Sequence, residues 1–308
     1  MSNTAPLSGP VTAARLPRDA ASSEIDPRSL HLRLAAYNAR RMKPGLPSAQ
    51  WRSELRDELQ AQLLEGEYVE EERRRIALRL GDVPSEVDAF MHWFENLREI
   101  GPGQGDRLFP WLAETATLAQ MRWFLTQEIG GEAGFDDLVA LTQVRMPVQA
   151  KLELARNYWD EMGRGHAKGM HGPMLECTAR DLGLEATPEG TAWEALALAN
   201  MMAALAANRR YAYQSIGALG AVEMTAPGRV AQVNAGLRRL GLGAQTRRYF
   251  QLHAGLDIQH SRDWNREVIR PLVAADPRLA RPIAEGALLR LRCGERCFER
   301  YRAELGVP

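Results

Sequence analysis

The chain has 308 residues, 45% hydrophobic and 25% charged, enough to bury a sizeable core as one large domain or two modest ones. Lys plus Arg and Asp plus Glu both number 39, so the formal charge is zero and no overall field draws the protein to nucleic acid or to an acidic membrane surface. No run approaches the roughly 20 apolar residues of a membrane span, no signal-peptide pattern opens the chain, and Cys177, Cys293 and Cys297 are too few for a disulfide framework, so a cytoplasmic protein acting on small molecules is expected.

Residues 1–28 mix Pro, Ser, Ala and Thr without apolar periodicity and predict a mobile tail. From Ser29 the apolar residues recur at three and four, through LHLRLAAYNARRM, the stretch from Gln50 to Leu80 and the aromatic VDAFMHWFENLREI; residues 29–105 are read as N-terminal helices packing on a core domain of residues 106–308. Within them Glu70, Glu71 and Glu72 precede Arg73, Arg74 and Arg75, a spacing that predicts an exposed, self-paired helix face. Breaks at KPGLPS, GPGQG, the GRG of Gly163–Gly165, ATPEG, APG, GLG and Pro271 divide the chain into nine or ten helices. No period-two Val/Ile/Thr run occurs, so the fold class is all-α. There is no Walker loop, GxSxG elbow or dinucleotide fingerprint, and Cys293 and Cys297 read as helix residues.

The chemistry concentrates in three segments. In YFQLHAGLDIQHSRDW, His253, Asp257 and His260 stand at i, i+4 and i+7, on one face of a helix over two turns. Tyr249, Phe250, Leu252, Leu256 and Ile258 flank them, which argues against a wholly solvated face, and buried imidazole and carboxylate groups need a partner such as a transition metal. In NYWDEMGRGHAKGMHG, Glu161 ends an apolar helix, and Gly163, Gly165 and Gly169 allow the chain to bend back so that His171 returns to its level; on a continuous helix, ten residues would set the two about 15 Å apart. His166 is the alternative ligand from this loop. In GALGAVEMTAPG, Glu223 is a lone acid in a small-residue helix read as stopping at Pro227, either exposed at its end or bound to a cation.

The order Glu161, His171, Glu223, His253, Asp257, His260, with steps of ten and thirty residues and a closing HxxxDxxH, resembles the haem-oxygenase-like diiron oxidases and oxygenases from about Leu108 to Arg270. The resemblance implies a haem-oxygenase-like helical bundle holding two Fe(2+) ions in place of haem. Glu161, His171 and His260 would serve one iron, and Glu223, His253 and Asp257 the other. Members that oxygenate nitrogen carry a further glutamate on the preceding helix, for which WFLTQEIGGEAGFDDL offers Glu128 and Glu132; Glu128 is preferred, because it follows Trp123, Phe124 and Leu125 before Gly130. A fourth carboxylate would balance the four positive charges of two ferrous ions. The implied partners are dioxygen and a small substrate, with an external electron donor and a homodimer compatible with the resemblance.

The activity expected from this resemblance is N-oxygenation of a small amine or amino-acid-like metabolite in a biosynthetic route. The alternatives are oxidative C–C cleavage of an amino acid or fatty acid, and a metal-free helical binding or scaffold protein. A haem site would set charge from Asp257 against a porphyrin face, and a thiaminase-like site would need a cysteine near the proposed ligands. Arg209, Arg210, Tyr211, Tyr213 and Arg248 lie near ligand helices and could meet a substrate carboxylate, or simply belong to amphipathic helices.

Overall fold

The computed structural model describes residues 25–308; residues 1–24, which make up most of the expected tail, lie outside the described residues. Pro27 and Arg28, the last part of that tail, already belong to the first helix. Its start is set chemically: the Asp26 carboxylate accepts a hydrogen bond from the Ser29 amide at 3.0 Å, and Pro27 occupies a first-turn position where no N–H is needed.

Thirteen α-helices follow among the described residues: α1 (Pro27–Met42), α2 (Trp51–Ile76), α3 (Val87–Ile100), α4 (Leu108–Glu114), α5 (Leu118–Gly130), α6 (Phe135–Thr142) and α7 (Val148–Glu161), then α8 (His171–Leu182), α9 (Trp193–Ala207), α10 (Ala212–Arg239), α11 (Arg248–Asp263), α12 (Arg270–Ala275) and α13 (Ala280–Leu305). The described residues contain no strand beyond one isolated bridge, Met162 to Met170, so the fold is an all-α helical bundle. The count exceeds nine or ten because α4, α6 and α12, of 7, 8 and 6 residues, are too short to show an apolar period.

The long helices α10 and α13 form the centre of the bundle, with α9 and α11 packed beside them. Their closest approach uses two glycines: a Cβ on Gly286 would fall on the Gln214 carbonyl, and one on Gly217 would fall on the Ile283 carbonyl. Around this pair, α9 is buried on nearly every side, α1 packs on α9, α2 on α13, and α3 on α10 and α12. None of these helices is long and apolar enough to cross a membrane.

Two features depart from the sequence pattern. Helix α10 does not stop at Pro227 but continues to Arg239; the proline removes only the N–H that would have met the Glu223 carbonyl four residues back, and the helix resumes beyond it. On α2 the predicted pairs of Arg73 with Glu70 and Arg74 with Glu71 form, but Glu72 is buried and accepts from Arg296 of α13 at 2.9 Å. Arg73 likewise reaches Glu285 of α13 at 3.0 Å. The charge run is therefore partly a seam between helices and not wholly a solvated face. Cys293 and Cys297 are free, buried residues of α13, and Cys177 is free and half-buried.

Candidate metal centre

Glu161 is the last residue of α7 and His171 the first of α8. Between them the chain doubles back: Gly163 and Gly165 take positive φ of 60° and 84°, and a Cβ on Gly163 would collide with the Gly169 backbone. The bridge between Met162 and Met170 closes this loop and sets their outer neighbours side by side, with His171 Nδ1 2.6 Å from Glu161 Oε2. His166, the alternative from the same loop, is exposed and belongs to neither buried cluster.

On α11, His253, Asp257 and His260 all face inward, and with Glu161, His171 and Glu223 they keep only 2 to 7% of their surface exposed. The six side chains form two groups, each with ligand atoms within 4.8 Å of one another: Glu161, His171 and His253 in one, Glu223, Asp257 and His260 in the other. This exchanges the two histidines relative to the division implied by the resemblance. The cause is position along α11. The closed loop brings the His171 ring to 4.5 Å from that of His253, whereas His260, two turns or about 10 Å further on, lies beside Glu223, with Nδ1 3.6 Å from Oε2.

Each α11 histidine has one nitrogen tied and the other turned to its cluster. His253 Nδ1 donates to the Tyr249 carbonyl at 2.7 Å, and His260 Nε2 lies 3.2 Å from Asp160 Oδ2, while Asp160 Oδ1 accepts from Arg164 Nε at 2.6 Å. Outer partners of this kind fix the ring and tautomer of a metal ligand. Asn157, one turn before Glu161, donates to Glu223 Oε1 at 2.6 Å. Asn157 and Asp160 were not singled out in the sequence, although both lie within one turn of Glu161 on the same helix.

The electrostatics show how much negative charge is buried here. Burial, then the charge of Glu223, pushes the Asp257 carboxyl up to about 9. For His260 burial works against the cation, but the hydrogen bond and charge of Glu223 together with Asp160 raise it to about 9. His253 moves the other way, to about 4, through burial and the neighbouring His171. Three ligand-type atoms are buried without a neutral hydrogen-bond partner: Asp257 Oδ1 accepts no hydrogen bond, and His171 Nδ1 and His260 Nδ1 meet only carboxylates of their own clusters, Glu161 at 2.6 Å and Glu223 at 3.6 Å. Such atoms are costly unless something else binds them, and a cation in each cluster would satisfy all three. The residues therefore fit a pair of metal ions.

A small lobe of about 80 Å³ opens onto Glu161, Glu223, His253 and Asp257, and Glu132 lines it as well. Glu132 also lines a neighbouring chamber of about 160 Å³, which shares Tyr249, Ala226 and Val230 with the lobe. Glu128, the preferred extra ligand, lines the chamber and an adjoining recess but not the lobe, and lies next to Tyr301. The two acids are one turn apart on the way out of α5, and the chain beyond Gly130 turns Glu132 and not Glu128 toward Glu161. Both residues keep exposed surface, yet the dense protein around them pushes their carboxyls up. Of the other candidates for substrate contact, Arg209 binds the carbonyls of Leu141 and Thr142, Arg210 and Tyr211 bind Glu70, and Arg248 is exposed; none lines the chamber.

With fold and site in place, comparison with known proteins gives the class. The sequence profile of a family described as iron-containing redox enzyme matches residues 122–295, a span that includes all six clustered residues. The chain belongs to this family and is an oxidoreductase. No curated protein sequence matches it. Two crystal structures of a CADD-like protein of unknown function from Nostoc punctiforme share the fold, at 18% and 17% identity and TM-scores of 0.55 and 0.53. Each match covers 72% of this chain, and 99% and 96% of the other.

Proposed function

We propose that the protein is a non-haem diiron oxygenase that adds oxygen to the nitrogen of a small amine or amino-acid-like metabolite. The observation that carries this reading is the pair of buried clusters, each with carboxylate and imidazole, that border one small lobe, with Asp257 Oδ1 unpartnered and His171 Nδ1 and His260 Nδ1 turned only to cluster carboxylates. Glu161, His171 and His253 hold one iron, and Glu223, Asp257 and His260 the other. Glu132 is the extra carboxylate at the same lobe, in the role first assigned to Glu128. Three acids in the site disfavour an apolar porphyrin face, and six buried polar side chains with no other task disfavour a metal-free scaffold.

When bound, two ferrous ions supply electrons to dioxygen and open coordination positions. The remaining work belongs to the chain. Tyr249 and Asp160 hold the rings of His253 and His260, and Asn157 orients Glu223. The walls of the chamber, including Phe124, Leu125 and Leu198, keep bulk water from the reacting nitrogen. In the first oxygenation, a primary amine, dioxygen, two electrons from an external donor and two protons yield a hydroxylamine and water.

The test is mass spectrometry with ¹⁸O-labelled dioxygen over a panel of amino acids and amines. The reading predicts label on nitrogen in a hydroxylamine, nitroso or nitro product with the carbon skeleton whole. Shortened aldehydes or alkenes, or released carbon dioxide, without label on nitrogen would replace it with oxidative C–C cleavage.

A further inference from the structure

The chamber beside the metal lobe is lined by two arginines that the metal centre does not use. Arg229 of α10 and Arg290 of α13 both line its 160 Å³ volume, and Arg290 also lines an adjoining recess of about 100 Å³ with Glu128, Glu132 and Tyr301. Arg290 Nη1 is buried and has no hydrogen-bond partner among the described residues. Arg229 gives Nε to the Thr225 carbonyl and Nη2 to its hydroxyl, at 3.0 and 2.6 Å, both neutral acceptors. The acid nearest in charge to both is Glu128, whose own carboxyl is pushed up by the dense protein around it, against the pull of the two arginines and the Tyr301 hydroxyl. Burial and the like charge of Arg290 lower Arg229 to about 9, only partly offset by Glu128.

Two neighbouring cations in a largely apolar chamber are expensive for the fold, and an ordinary core would replace at least one with an apolar side chain. A guanidinium presents donors in a planar fork that matches a carboxylate. The walls of the same chamber include Phe124, Leu125, Leu175 and Leu198, and Tyr249 and Glu132 line both the chamber and the metal lobe. Arg229 and Phe109 also line a surface groove of about 460 Å³, so Arg229 stands between the outside and the chamber.

We propose that Arg229 and Arg290 anchor the carboxylate of the substrate, a small apolar amino acid or amino-bearing carboxylic acid whose body lies along the leucine and phenylalanine wall and whose amine reaches the clusters. This narrows the function proposed above and rests on the two clusters being the reactive centre. Glu132, at the lobe, then faces the amine side of a zwitterion, and the arginines its acid side.

The experiment uses full-length, anaerobically iron-loaded protein, wild type, Arg290→Met and Arg290→Lys. Its probes are the twenty proteinogenic amino acids, each paired with its amide and its decarboxylated amine, and the readouts are thermal midpoint and iron content. One or more apolar amino acids should raise the wild-type midpoint, with the amide and the amine binding at least about 10-fold more weakly, the scale of a lost charge-assisted bond. Arg290→Met should melt no lower than wild type and about 2 °C or more higher, because a buried unpaired charge is gone, yet lose the preference for the acid; Arg290→Lys should keep part of it. A destabilised Arg290→Met would make the arginine structural and overturn the proposal, as would equal binding of acid and amide, or no acid binding at all. Two irons per chain alongside any of these failures would leave the diiron reading standing; failure to load iron would count against that reading instead.

Discussion

Replacing His253 with alanine should leave a folded protein that holds one iron instead of two and consumes dioxygen more than about 100-fold more slowly, since loss of even an outer partner of a ligand costs roughly 10–100-fold. His253 is the α11 contribution to the cluster of Glu161 and His171, and removing its imidazole leaves that cluster with two ligands. Helicity should persist, because the apolar core that joins α9, α10 and α13 does not pass through the His253 side chain. Metal analysis, circular dichroism and an oxygen electrode read the three quantities. Unchanged iron and oxygen uptake would remove His253 from the centre, and global unfolding would make the site structural.

A substitution remote from the metal should damage it by another route. Gly286→Val is expected to destabilise the protein by about 3 kcal/mol or more, at the upper end of overpacking effects, because its new Cβ meets a backbone carbonyl and not a side chain that can turn away. Relief requires α10 and α13 to separate, and α10 carries Glu223, so iron binding should weaken along with stability. Urea denaturation of the iron-free and iron-loaded proteins measures both. A loss under about 1 kcal/mol would mean that the two helices are not packed through their glycines.

How far the sequence revealed the site follows from how local each part is. The HxxxDxxH stripe was legible because the three ligands share one helix, where spacing alone fixes the face, and apolar neighbours signalled burial. The Glu161 to His171 step was legible because the glycines that permit the return are themselves in the sequence. The division of ligands between clusters was not, since it depends on how far along α11 the loop of His171 docks. Glu128 and Glu132 could not be separated either: they sit one turn apart, and only the path of the chain after Gly130 decides which meets the lobe.

The fold shows the same division. All-α character followed from the absence of period-two runs, and α3 lies where its aromatic pattern put it. Pro227 misled because a proline inside a long helix forfeits one hydrogen bond, here to the Glu223 carbonyl, and the packing of α10 against α11 and α13 outweighs that loss. Glu72 misled because its i+3 arginine, Arg75, is present as expected, while the buried partner, Arg296, lies 224 residues away. The arginines that face the chamber stayed hidden for a similar reason: Arg229 follows the apparent helix stop and Arg290 is one of several in a basic stretch of α13.

The central claim is that six side chains hold two irons at one reactive centre. Anomalous X-ray diffraction at the iron edge, from crystals of the ferrous-loaded protein grown without oxygen, tests it most directly. The account predicts two peaks about 3.5 to 4 Å apart, one among Glu161, His171 and His253 and the other among Glu223, Asp257 and His260. A fully loaded crystal with a single iron, or with iron outside these clusters, would contradict it.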